Sequence, residues 1–187
     1  MRYNNQMFTR PIKKAVNWQN IKLLIFDCDG VLTDGKIIYN GELLEAKNFC
    51  AQDGMGFTLL RAAGLEAAVI TGRTSKALAR RCEDLRIVHL KQGVSNKLEE
   101  TKKLLKELGL GFSNVVYMGD DWNDVPVMLE AAFSVCPADA MPEICELVEY
   151  ITHRPGGFGA VRECIDYVLS SMGVYQKAVL KYLDEIT

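Results

Sequence analysis

Residues 21–35, IKLLIFDCDGVLTDG, set an apolar run from Ile21 to Phe26 directly before two aspartates, Asp27 and Asp29, one residue apart. The run reads as a buried strand. Two carboxylates at the end of such a strand oppose one another, because each charge disfavours ionisation of the other. If the backbone stays extended through Asp29, residues i and i+2 face the same way, so Asp27 and Asp29 converge while Cys28 turns into the core. A strand ending of this kind calls for a partner that offsets the repulsion.

The rest of the chain repeats the strand pattern. Further short apolar runs fall at Ala67–Thr71, Ile87–Leu90, Val115–Met118, Phe133–Val135 and Glu149–Ile151, after a first strand at Lys22–Phe26. Helical patterns lie between them near Gly56–Ala63, Ser75–Glu83, Asn96–Leu108, Trp122–Ala131 and Pro142–Leu147, with a last helix from about Ala160. Strands alternating with helices over short links predict an α/β fold, a parallel sheet covered on both faces. Ligand chemistry in such sheets collects beyond the carboxyl ends of the strands. One piece interrupts the alternation: Asn40-Gly41 between β-prone runs predicts a β-hairpin over residues 36–49. Its apolar side chains at Ile37, Ile38, Tyr39, Leu43 and Leu44 must pack either on its own domain or on another copy of the chain.

Composition narrows the class. The 187 residues are 49% hydrophobic and 25% charged, with a net charge of −2, so no general attraction to nucleic acid or an anionic membrane is expected. No apolar run approaches the ~20 residues of a membrane span, and the first twenty residues hold no apolar block of a secretory signal. The six cysteines are scattered without a C-x-x-C pair and read as free thiols in a reducing compartment, the cytoplasm. The expected organisation is an N-terminal extension over 1–20 and one domain over 21–187, whose C-terminal helix and tail cover 160–187.

Four segments at predicted strand ends or helix starts supply complementary chemistry: Asp27-Cys28-Asp29-Gly30, Thr71-Gly72, Lys97, and Gly119 through Asp124 in VVYMGDDWND. Singly, these aspartates are ordinary turn formers and helix caps. Together, five carboxylates from two strand ends need a cation, and an all-oxygen cluster suits Mg²⁺. Lys97, in a first helical turn, opposes the macrodipole unless an anion binds there. These parts fit phosphoryl transfer to an enzyme carboxylate. Asp27 is the candidate nucleophile and Asp29 the acid/base, with Thr71, Lys97 and Mg²⁺ balancing charge on the transferred oxygens.

The motifs Asp27-x-Asp29-Gly30-Val31-x-Thr33, Thr71-Gly72, Lys97 and Gly119-Asp120-Asp121-x-x-Asp124, in that order, resemble those of the haloacid dehalogenase superfamily. The resemblance implies a Rossmann-like core and a Mg²⁺-dependent phosphatase. Its pattern implies metal contacts from Asp27, the main-chain oxygen of Asp29, and Asp120, with Asp121 and Asp124 supporting through water. The intervals between motifs leave no room for the cap domain that many members insert. The fuller pattern, with KNFxxxDGMGF, ITGR, QGVSNK and GGFGAVRE, is similar to a capless branch of lipopolysaccharide precursor synthesis that acts on an eight-carbon 3-deoxy sugar-acid phosphate. That likeness implies a homotetramer with hairpins in a central barrel and sites between subunits. It also implies substrate contacts from Asp29, Asp53, Gly54, Arg73, Arg81, Lys97 and Asn123. Arg73 is the leading candidate for the substrate carboxylate, and its position favours the eight-carbon acid over a nine-carbon keto-acid phosphate. The chain departs from the pattern at Gln52, where arginine is common. A non-catalytic oligomerisation module is the alternative from another class, and the intact carboxylates argue against it. RPGGFGAVRE (154–163) fits no dinucleotide or phosphate-loop pattern; it reads as a flexible link to the last helix or, on the family pattern, a lid edge.

Overall fold

The computed structural model describes residues 15–40 and 44–187. The sheet has six parallel strands: β1 (Leu23–Phe26), β4 (Glu66–Ile70), β5 (His89–Lys91), β6 (Val115–Met118), β7 (Phe133–Cys136) and β8 (Tyr150–Ile151), in the order β5-β4-β1-β6-β7-β8. β2 (Ile38–Asn40) and β3 (Leu44–Ala46) form a separate antiparallel pair. The predicted turn at Gly41, and Leu43 with it, lies outside the described residues, as do residues 1–14 of the extension. The helices are α1 (Ala51–Ala62), α2 (Lys76–Asp84), α3 (Lys97–Leu108), α4 (Val125–Glu130), α5 (Pro142–Leu147), α6 (Ala160–Ser171) and α7 (Tyr175–Ile186).

Alternation along β1 divides the core. Leu24 and Phe26 face α1 and α6, meeting Phe57, Leu60 and Ile165, whereas Leu23 and Ile25 join Leu104, Leu105, Val127 and Ile144 of α3, α4 and α5. β1 pairs with β4 on one side and β6 on the other. The chain runs outward from β1 in both directions, so a crevice opens at the carboxyl ends of these central strands. Asp27 leaves β1 into that crevice.

Several boundaries differ from the sequence reading. α1 begins at Ala51 rather than Gly56, so Asp53 and Gly54 lie in its first turn. Gly56 is no helix stop: a Cβ there would meet Ile165 Cδ1 at 3.1 Å and Arg162 Cδ at 3.2 Å, so the glycine lets α1 and α6 approach closely. The helix expected from Trp122 starts at Val125, because the Asp124 side chain holds residues 119–124 in a loop. The final helical stretch is two helices, broken where Gly173 takes φ +71°; α7 docks on α1 of its own chain. Trp18 packs on Phe133 with ring centroids 4.9 Å apart, while Trp122 is 44% exposed. All six cysteines are free thiols, and Cys28 is buried.

Candidate active site

The segment carrying the candidate nucleophile Asp27 is a turn, not an extended strand end. The Asp27 N–H donates to Met118 O at 2.9 Å, the last ladder bond of the β1 and β6 pair. The Cys28 carbonyl then accepts from the N–H groups of Val31, Leu32 and Thr33 and from Thr33 Oγ1. Gly30 sits at φ +84° within this turn. Asp29 is thus delivered by the turn rather than by strand pleating, yet it reaches the same hollow as Asp27.

That hollow has a volume of about 270 Å³ and brings together Asp27, Asp29, Thr71, Arg73, Asp120, Asp121 and Asn123, with Gly35 and Gly72. Thr71, buried at the end of β4, is fixed by its N–H to Lys91 O and by its carbonyl accepting from Val94, both at 3.0 Å. Lys97 lies behind the wall, 4% exposed, its helix started by Asn96 Oδ1 accepting from the Glu99 N–H. Its Nζ is 2.9 Å from Asp27 Oδ1 and 2.7 Å from Asp124 Oδ1. The contact to Asp27 is off the hydrogen-bond direction, which leaves that buried oxygen without an aligned donor.

Asp124 is saturated. Its Oδ1 accepts from Lys97 and from the buried Tyr117 hydroxyl at 2.6 Å, while its Oδ2 accepts from the N–H groups of Asp120 and Asp121 at 3.1 and 3.4 Å. Carboxylate oxygens of Asp27, Asp120 and Asp124 lie within 4.8 Å of one another. Burial and the Asp124 charge push Asp27 up to about 7 despite Lys97; burial, then Asp27 and Asp124, push Asp120 up to about 8. One lysine does not neutralise three carboxylates, and the donor set is oxygen alone. These residues fit Mg²⁺, with Asp27 and Asp120 left to take the ion directly. The side chain of Asp121 accepts from Trp122 N–H at 2.7 Å and shapes the loop.

Glycines make the cluster possible. A Cβ on Gly30 would fall 2.1 Å from Asp120 Oδ2, and one on Gly119 2.3 Å from Asp124 Cγ. The 154–163 segment packs on the turn that follows Asp27. Gly157 N–H donates to Val31 O at 3.1 Å, and a Cβ on Gly156 would fall 1.8 Å from Gly30 O, so the glycine pair clamps the nucleophile turn. Gly30→Ala is expected to displace Asp120 and weaken Mg²⁺ binding on the order of 10- to 100-fold, measured by calorimetric titration; unchanged affinity would remove the steric argument.

Besides Lys97 behind the wall, three predicted substrate contacts do not line the hollow. Asp53 is 1% exposed, accepts from Arg162 N–H at 2.9 Å and joins α1 to the start of α6; burial pushes it up to about 6. Gly54 faces Leu85 and Arg81, and Arg81 Nη2 donates to Cys50 O at 2.9 Å. Conversely, the sequence reading missed Lys47 and Glu45, which reach the site from the hairpin. Lys47 Nζ bonds Asp29 Oδ1 and lies 3.1 Å from Glu45 Oε1, which also accepts from Arg73 Nη2 at 2.9 Å. Nothing local distinguishes these from ordinary surface charges. Tyr117 left a fainter signal, a hydroxyl in an aliphatic strand just before the Asp120 loop.

A larger hollow of about 850 Å³ adjoins Tyr150, Arg154, Arg162 and Glu163. Its ionic groups largely satisfy one another: Arg162 pairs with Asp166 at 2.8 Å, and Glu163 accepts from the Tyr150 hydroxyl and the His153 and Arg154 N–H groups. The carboxylate-lined hollow is therefore the candidate active site.

Comparison with known proteins agrees with this geometry. Residues 85–161 match the family model of the haloacid dehalogenase-like hydrolases. A 3-deoxy-D-manno-octulosonate 8-phosphate phosphatase of Salmonella typhi is 45% identical over 160 residues, covering 86% of this chain and 85% of that protein. The crystal structure of the Yersinia pestis phosphatase of the same name superposes with a TM-score of 0.83 at 41% identity, covering 85% of this chain and 86% of that one. The Moraxella catarrhalis phosphatase, solved with magnesium ion, phosphate ion and KDO, gives 0.85 at 35% identity, covering 96% and 99%.

Proposed function

We propose the function of this chain from one premise: it belongs to the haloacid dehalogenase-like hydrolases, in the branch of the 3-deoxy-D-manno-octulosonate 8-phosphate phosphatases. It is a Mg²⁺-dependent phosphatase that hydrolyses this sugar-acid phosphate to the free acid and inorganic phosphate. The observation that carries the reading is the convergence of Asp27, Asp120 and Asp124, with one buried lysine, at the ends of β1 and β6.

In the proposed mechanism, a carboxylate oxygen of Asp27 attacks phosphorus while the bond from phosphorus to the sugar oxygen breaks. Asp29 gives its proton to the departing alkoxide, leaving an aspartyl-phosphate on Asp27. Water then attacks phosphorus and passes a proton to Asp29, which releases phosphate and restores Asp27. Lys97 and the Thr71 hydroxyl hold the transferred oxygens, and Arg73 and Asn123 meet the sugar acid. Asp27, Asp120 and the main-chain oxygen of Asp29 would hold Mg²⁺, with Asp121 and Asp124 behind them. When bound, the ion offsets negative charge on the phosphoryl oxygens and on the carboxylate cluster. A chelator is expected to abolish phosphate release and added Mg²⁺ to restore it; turnover untouched by chelation would overturn the metal assignment. With Arg73 on the wall, the eight-carbon acid phosphate should exceed a nine-carbon keto-acid phosphate in kcat/KM by about tenfold or more, the scale of one charged contact. Equal turnover would sink that narrower claim.

The assembly and location extend this reading. We propose a homotetramer with sites between subunits, because Ile37, Ile38 and Tyr39 stand exposed on the hairpin and, among the described residues, no cap covers the hollow. Gly54 and Arg81, which do not reach the hollow of their own chain, would then border a neighbour's. A monomeric mass in light scattering would contradict this. Among the described residues no helix is long and apolar enough to cross a membrane, and the six free thiols support a cytoplasmic location.

A further inference from the structure

Lys47 follows β3, and its side chain is completely enclosed. Enclosing a lysine costs rotamer entropy in addition to desolvation of the ammonium. Its Nζ grips Asp29 Oδ1 on one side and Glu45 Oε1 on the other. The second oxygen of Asp29, Oδ2, lies 3.5 Å from Arg73 Nε. The two grips differ in kind. Arg73 is 38% exposed on the cavity wall, held by Glu45 and within 3.5 Å of the Tyr39 hydroxyl, so it can turn to an incoming substrate carboxylate. Lys47 has no such freedom. Apart from these two cations, the Asp29 carboxylate has, among the described residues, only a long contact from Cys28 Sγ at 3.8 Å.

We propose that Lys47 is a positioning residue for the reaction. By occupying Oδ1 it fixes the Asp29 carboxyl group so that Oδ2 faces the leaving oxygen, and it thereby makes the hairpin part of the catalytic frame. The inference rests on the assignment of Asp29 as acid/base. A structural ion pair that merely tied the hairpin to the domain would affect all substrates alike. A positioning role affects only those whose departure needs a proton, because general acid catalysis matters for a strongly basic alkoxide and little for a weakly basic phenolate.

The test compares kcat of the Mg²⁺-loaded enzyme on the sugar-acid phosphate and on 4-nitrophenyl phosphate. Asp29→Asn and Lys47→Met are each expected to shift the ratio toward the aryl ester by about 30-fold or more, approaching the 10²–10⁴-fold contribution of general acid catalysis. A selective shift for Asp29→Asn without one for Lys47→Met overturns the role of Lys47 and leaves that of Asp29 standing. A non-selective Asp29→Asn overturns the acid/base assignment and this inference with it. Should Lys47→Met fail to fold, Lys47→Gln keeps the stem without the charge. Its ratio should move the same way by about threefold or more, and an unmoved ratio overturns the proposal.

Discussion

Asp27→Asn is expected to lose phosphate release by on the order of 10⁵-fold or more, the scale seen when a covalent nucleophile is removed, while the protein stays folded. The amide keeps the shape of the side chain but cannot attack phosphorus. Stability should survive, because the substitution removes one of three carboxylates that share a single lysine, and Lys97 still pairs with Asp124 at 2.7 Å. The pH dependence follows with a definite sign. Asp27 is raised from 3.8 to about 7 in the folded chain, so the metal-free wild type has this contribution intact below about pH 4 and loses it as pH rises through about 7. The amide that replaces it in the variant does not titrate. Metal-free Asp27→Asn should therefore gain in Tm relative to wild type as pH rises toward 8, and Mg²⁺ should raise Tm less in the variant. Thermal melts with and without Mg²⁺ read both effects. Retained turnover would remove Asp27 as the nucleophile; a variant that is less stable at pH 8 than at pH 5, relative to wild type, would contradict the charge argument.

Residues of the central sheet were legible because their signals are local. Leu23–Phe26 and Val115–Met118 are unbroken apolar runs, and each ends in carboxylates that a reader can count. Long-range contacts were not legible. Gly56 stood at the edge of the expected helix, but its reason is the approach of α6 more than a hundred positions later in the chain. Gly156 and Gly157 looked flexible, yet they are small because the backbone of Gly30–Asp34 lies against them. Lys47 looked like any surface lysine, since only the fold brings the hairpin over Asp29. Asp53 has a similar long-range contact: it accepts from Arg162 N–H at the start of α6.

Lys97→Met is the second large effect, and it joins function to stability. In the wild type this buried ammonium sits between Asp27 and Asp124, whose other partners are a hydroxyl and two backbone N–H groups. Removing one partner of a buried ion pair costs about 3–5 kcal/mol, because the opposite charge stays behind unpaired. Here two carboxylates stay behind, next to an Asp120 already raised to about 8. Without the ammonium their folded-state affinity for protons rises further above the unfolded value. The deficit should thus be small near pH 4–5, where the carboxylates can protonate, and grow as pH rises to 8. Mg²⁺ should recover part of the stability by supplying positive charge to the same cluster. Turnover should stay depressed by at least about 10²–10³-fold, the usual loss when one donor to a transition-state anion is removed, because in the proposed mechanism Lys97 also holds the transferred oxygens, which an ion among the carboxylates would not replace. Denaturant melts at pH 5 and 8, each with and without Mg²⁺ and paired with phosphate release, separate the two roles. An equal deficit at both pH values would mean that Lys97 is held by packing rather than charge, and full recovery of turnover by Mg²⁺ would mean that its charge alone, not its position, serves the reaction.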